Sequence, residues 1–242
     1  MSRSRLESVY RLFTALASTS FFDPETGLGG KLLYAGELSD QSSDLLYAAN
    51  IAGAASLTTS ANPAAQRLAI REGVVDFLVT SLEEALRILK NEIRKRQPVS
   101  VAVALDPDHL AAQMVERGVL PDLLPPGDLA QLESYRTFLA LGARPIISPE
   151  DDPENFITWS VDRHFARWLP RLDTCAQTVI PAYDHARQRW LRLAPRYLGR
   201  IAQREHGVTL TSEERMRFEA EIQRRAAELT GEEPIRVRLS GS

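Results

Sequence analysis

One glycine, three serines and three carboxylates fall within a nine-residue stretch, Gly36-Glu37-Leu38-Ser39-Asp40-Gln41-Ser42-Ser43-Asp44, directly after the apolar run Lys31–Ala35. In α/β proteins the turn after the first strand is where backbone N–H groups, brought close by glycines, hold a phosphate at a helix N-terminus. Gly36 is the only glycine here, and Glu37, Asp40 and Asp44 bring negative charge to the place an anion would occupy. Ser39, Ser42 and Ser43 have no base near them in the sequence. They are expected to satisfy the turn or cap the next helix rather than to act as nucleophiles. The four histidines, His109, His164, His185 and His206, show no metal-ligand spacing, and HExxH is absent, so no metal site is expected. They are read as surface or interface residues. Cys175, the single cysteine, allows neither an internal disulfide nor a cysteine metal cluster. Ten helical residues would place it about 15 Å from His185, too far for a thiolate pair, so a buried structural thiol is the reading.

Alternating elements position these residues. The apolar runs KLLYA, AASLTT, VVDFLVT and PVSVAVAL are short and are separated by stretches of helical period. That alternation predicts a parallel sheet with crossover helices. A helix is predicted over residues 4–18, with Leu6, Val9, Tyr10, Phe13 and Leu16 on one face, and another near 42–52. Asn62-Pro63 opens a third, Ser81 with Glu83 and Glu84 a fourth, and Asp106-Pro107-Asp108 a fifth ending at Gly118. Short strands follow at 119–124 and 144–147, flanking a helix over 129–141. The acidic run Glu150-Asp151-Asp152-Pro153-Glu154 marks a boundary, dividing the chain into an α/β domain at 1–152 and a mainly helical region at 153–242. There, helices are expected over 155–169, over 172–201 with a break at Pro181 and a second candidate break at Pro195, and over 211–229. The tail IRVRL alternates like a strand, and a sheet edge or a loose terminus would both suit it.

The distal region also carries nine arginines between Arg163 and Arg204, interleaved with Trp159, Trp168, Tyr183, Trp190 and Tyr197. Such a stripe could hold an anionic partner. The formal charge of −3 and the missing helix-turn-helix pattern argue against nucleic acid. Aromatics packed inward beneath solvated or paired arginines are the plainer expectation, with a homo-oligomer interface through these helices between the two. The chain is 44% hydrophobic and 25% charged, the balance of a soluble protein with a real core. Residues 1–20 lack a signal-peptide pattern, and no apolar run reaches membrane-spanning length. A cytoplasmic protein is expected.

The segments GGKLLYAGEL, AANIAGAASL, SLEEALRILKNEIRKRQPVSV and MVERGVLPDLL, in this order and spacing, resemble the central Rossmann-like domain of the urocanase (urocanate hydratase) family. YRTFLALGARPII extends the likeness, which covers about residues 9–151. The resemblance implies a Rossmann-like open parallel sheet and a tightly held NAD⁺. In this family NAD⁺ acts as an electrophile in a hydro-lyase reaction of histidine catabolism. Carried over residue by residue, it assigns the phosphate turn to Gly36, Ser39, Ser42 and Ser43. The ribose-gripping acid falls at Ser60, with Asn62 beside it, and the turn after the fourth strand falls at Asp106. These seven are the candidate cofactor-binding residues; no catalytic residue is assigned. The family's glycine-rich phosphate turn is largely replaced, and its polar loop beyond Asp122 reads Leu123-Leu124-Pro125-Pro126-Gly127. A non-catalytic binding or regulatory role, with a small-molecule ligand, is therefore the expectation. The alternative is an active urocanate hydratase-type enzyme with a rebuilt site or with groups supplied by a partner chain.

Overall fold

Strand β1 (Leu32–Glu37) is buried along its first five residues, as a parallel strand covered on both faces requires. The computed structural model describes residues 4–127, 133–147, 155–228 and 237–241. Helix α1 (Arg5–Ala17) precedes β1. After β1 come α2 (Asp40–Ala52), β2 (Ala55–Thr59), α3 (Pro63–Glu72), β3 (Phe77–Val79), α4 (Leu82–Lys95), β4 (Val99–Val103) and α5 (Pro107–Glu116). β5 (Leu123–Leu124), α6 (Glu133–Ala140) and β6 (Arg144–Pro145) complete the unit. All six strands pair in parallel, in the order β3-β4-β2-β1-β5-β6. The expected parallel α/β sheet is present, and helices follow it toward the C-terminus.

Local chemistry starts the helices where the sequence places them. Ser81 accepts the Glu84 N–H to cap α4, Asn62 accepts the Ala64 N–H ahead of Pro63, and Asp106 accepts the Asp108 and His109 N–H groups. α2 carries the small apolar residues Ala48, Ala49 and Ala52, fully buried, which lets it lie close to the sheet. It ends at Gly53, whose φ of 98° suits a residue without a Cβ. On one side of the sheet, Leu32, Tyr34, Leu57, Val101 and Val103 pack with Leu82, Leu89, Leu110, Met114 and Phe138. β5 is shorter than the predicted 119–124. It is tied to β1 by Asp122, which accepts the Leu32 N–H at 2.9 Å and pairs with Lys31 at 3.0 Å. Of the helix predicted over 129–141, residues 129–132 lie outside the described residues, as does the acidic boundary run at 150–154.

Contacts group residues 11–150 into one compact unit and residues 1–10 with 151–242 into another. The second unit corrects one expectation: strand, not helix, occupies the first half of 155–169. The stretch Phe-Ile-Thr-Trp-Ser-Val is β-branched or aromatic at every position but Ser160, and it forms β7 (Phe156–Val161). A 3₁₀ turn at Arg163–Trp168 and α7 (Leu169–Val179) follow, then α8 (His185–Tyr197) with Pro195 inside it. β8 (His206–Thr209) was not foreseen, α9 (Ser212–Glu228) was, and the tail forms β9 (Val237–Gly241). β7 lies between β8 and β9 in an antiparallel sheet, so the mainly helical region also carries a three-stranded sheet. Its core stacks Trp159 on Phe218 and Tyr10 edge-on to Trp190. Trp159, Trp168 and Trp190 are buried, whereas Tyr183 is exposed.

Candidate functional site

The sheet order places β1 between β2 and β5, so the chain leaves β1 toward one side and later returns on the other. The crevice outside the carboxyl ends of two such strands is where open α/β sheets take ligands. A cleft of about 200 Å³ lies there. It is lined from β1 by Ala35, Gly36 and Glu37, from the start of α2 by Ser39, Gln41 and Ser42, and beyond β5 by Pro125 and Pro126. Leu12, Leu45 and Tyr135 close it.

Three of the seven candidate residues, Gly36, Ser39 and Ser42, thus share one cleft. Gly36 has a φ of 73°, a left-handed conformation that disfavours any residue with a Cβ. Its carbonyl accepts the Thr58 hydroxyl at 2.8 Å, and the Leu38 N–H donates to Thr59 at 2.8 Å, so the turn is fixed by β2. Ser39 and Ser42 form a reciprocal capping box. The Ser39 N–H donates to Ser42 Oγ at 2.7 Å, and the Ser42 N–H donates to Ser39 Oγ at 3.1 Å. The Ser42 hydroxyl also donates to the Glu37 carbonyl, and the Ser43 hydroxyl to the Ser39 carbonyl. The hydroxyls are engaged in holding the turn and opening α2, as their sequence context suggested.

Ser60, Asn62 and Asp106 sit at the ends of β2 and β4, on the same edge of the sheet but outside the cleft lining. Ser60 Oγ accepts the Asn62 N–H, and its carbonyl accepts Gln66 Nε2 at 2.7 Å. Asn62 and Asp106 spend their side-chain oxygens on the caps of α3 and α5. The Thr59 hydroxyl reaches the Leu105 carbonyl at 2.6 Å and joins the two strand ends.

The sequence reading missed Tyr135. Its side chain comes from α6, and a Cβ added to Gly36 would lie 2.6 Å from its hydroxyl. The ring packs against Tyr34 and Phe138, and the residue is 7% exposed. Among the described residues the hydroxyl makes no hydrogen bond. Burial, with the charge of Asp108 adding to it, pushes the phenol up to about 12, so it stays protonated. The sequence marks Tyr135 only as a polar-tipped aromatic on a helix; its meeting with Gly36 is a tertiary contact.

Of the histidines, His109 and His185 are exposed as expected. His206 is not: it is buried in the second unit, its Nδ1 at 2.7 Å from Asp173 and its Nε2 at 2.7 Å from the Ala202 carbonyl. Trp159 Nε1 donates to the same carboxylate at 3.1 Å. Among the described residues no group of three or more histidine, cysteine or acidic side chains is placed to hold a metal ion, and no helix is long and apolar enough to cross a membrane.

A parallel sheet with crossover helices, a ligand crevice at its switch point and a helix opening directly after β1 define a Rossmann-like α/β unit. Residues 6–127, just over half of the 242, match the family model described as the urocanase Rossmann-like domain. The chain belongs to the urocanase family.

Proposed function

We propose that this chain is a urocanase-family protein that does not hold NAD⁺ in the family's manner and acts as a non-catalytic, small-molecule-binding or regulatory protein. The observation that carries this reading is the Tyr135 hydroxyl lodged against Gly36. A pyrophosphate cradle needs open space over the glycine turn so that phosphate oxygens can reach backbone N–H groups. Here the Tyr135 hydroxyl stands close over the one glycine left, and the first-turn N–H of Ser42 is already bonded to Ser39. Charge points the same way. Glu37 lines the cleft and Asp40 opens α2. A carboxylate about 5 Å from a phosphate costs about 1–3 kcal/mol at effective dielectrics between that of a protein surface and that of water. The residues present therefore do not fit a dinucleotide pyrophosphate.

The test is to purify the full chain, denature it, and search the supernatant for NAD(H) by mass, while following urocanate through its ultraviolet band with and without added NAD⁺. No dinucleotide and no loss of urocanate are expected. Bound NAD⁺ with urocanate turnover would overturn the reading in favour of an active hydro-lyase with a rebuilt site.

A further inference from the structure

Resting on the reading that the crevice is not a dinucleotide site, we infer that it binds a small organic cation: a primary ammonium or amidinium group on a short apolar body. Tyr135 supplies the first argument. Its hydroxyl faces the cleft and has no hydrogen-bond partner among the described residues, which leaves its acceptor oxygen open to a ligand. A ligand carrying an N–H group would supply that partner. Because the phenol stays protonated at neutral pH, its oxygen accepts from the ligand and brings no charge of its own.

Glu37 supplies the second, independent argument. Among the described residues lining the cleft it carries the one formal charge, and its carboxylate stands exposed at the end of β1. No arginine or lysine lines the cleft to offset it, so an anion is repelled and a cation attracted. The rest of the lining is mixed: Ser39, Gln41 and Ser42 are polar, while Leu12, Leu45, Pro125 and Pro126 offer apolar surface to a short hydrocarbon or aromatic body. At about 200 Å³ the space suits a molecule well below the size of a nucleotide. One N–H donor to Glu37, one to Tyr135 and an apolar body on the prolines would engage both of these polar groups and the apolar part of the lining. A neutral apolar molecule would leave both polar groups unmet.

The probes are three near-isosteric molecules: benzylamine, benzyl alcohol and benzoate. Each is titrated into the full-length chain at neutral pH and followed by amide chemical shifts at Gly36 and Gln41. Benzylamine is expected to give saturable shifts there, benzyl alcohol weaker ones, and benzoate none. Glu37→Gln, which keeps the shape and removes the charge, should weaken benzylamine about tenfold while leaving benzyl alcohol unchanged, since bonds to charged partners are the strong ones. Tyr135→Phe should weaken benzylamine by a smaller factor of about three to five, the loss of one bond to a neutral oxygen. An unchanged amide spectrum away from the cleft shows that each variant folds. Benzylamine that fails to bind, binds Glu37→Gln equally well, or is matched by benzoate overturns the inference. A chain free of NAD⁺ that ignores benzylamine sinks this inference alone, whereas NAD⁺ carried through purification sinks the reading beneath it.

Discussion

Replacing Gly36 with alanine should impose two separable penalties, one from the backbone and one from Tyr135. At a φ of 73° an alanine sits in the left-handed region, which costs about 1–2 kcal/mol. The turn cannot relax this cheaply, because the Thr58 hydroxyl and the Leu38 N–H bond to Thr59 hold it on both sides. The new methyl also meets the Tyr135 hydroxyl at 2.6 Å, while the next atom of that ring is 4.0 Å away, an ordinary contact. Tyr135 has little room to yield between Tyr34 and Phe138, so overpacking adds about 1–3 kcal/mol. The single variant should therefore lose about 2–5 kcal/mol. Tyr135→Phe alone should be neutral or slightly stabilising, because the hydroxyl it removes has no partner among the described residues. In the Tyr135→Phe background Gly36→Ala should cost only the backbone share, a coupling of about 1–3 kcal/mol by double-mutant cycle. Urea unfolding followed by far-ultraviolet circular dichroism gives the energies. The three tryptophans, at 159, 168 and 190, all lie in the other unit and provide an internal control by fluorescence. Equal losses in the two backgrounds, or a large cost for Tyr135→Phe, would refute the proposed contact.

Two further outcomes concern the unit that contains residues 151–242. Burial alone would push the His206 imidazolium pKa down, but the Asp173 hydrogen bond and charge, helped by the Ala202 carbonyl, reverse this and the net shift is upward. The contribution is fully present below the unfolded histidine value and is lost as pH rises through the folded one. The unfolding free energy from urea titrations read by tryptophan fluorescence should therefore fall over that window, by at most about 1.4 kcal/mol per pH unit for one proton, and His206→Gln should flatten the dependence. Arg187 bonds Glu214 through two nitrogens, at 2.6 and 3.0 Å, and also Asp184 at 2.7 Å, with the Arg187 and Glu214 side chains mostly buried. Arg187→Ala should cost about 3 kcal/mol by the same readout, because it strands a buried carboxylate, and the added Glu214→Gln change should recover part of the loss.

Features that depend on neighbours in sequence were legible before the structure. The caps at Ser39, Asn62, Ser81 and Asp106, and the alternation of apolar runs that becomes the parallel sheet, follow from local hydrogen bonding and periodicity. The 155–169 stretch misled because a short apolar run bounded by polar residues suits helix and strand alike, and only the pairing of β7 with β8 and β9 decides. His206 reads as a surface residue until Asp173 and Trp159 are seen around it. Tyr135 was hidden most deeply. Nothing in YRTFLALGARPII announces that its first residue, on α6, meets a glycine of β1, although Gly36 itself, alone where a glycine-rich turn was expected, marked the place to look.

The central claim is that the crevice over the Gly36–Ser42 turn does not accept a dinucleotide, and calorimetric titration of NAD⁺ into the full chain tests it most directly. No saturable heat is expected from the native chain. One-to-one binding at micromolar strength or tighter, abolished by Gly36→Ala in a chain that remains folded, would contradict it.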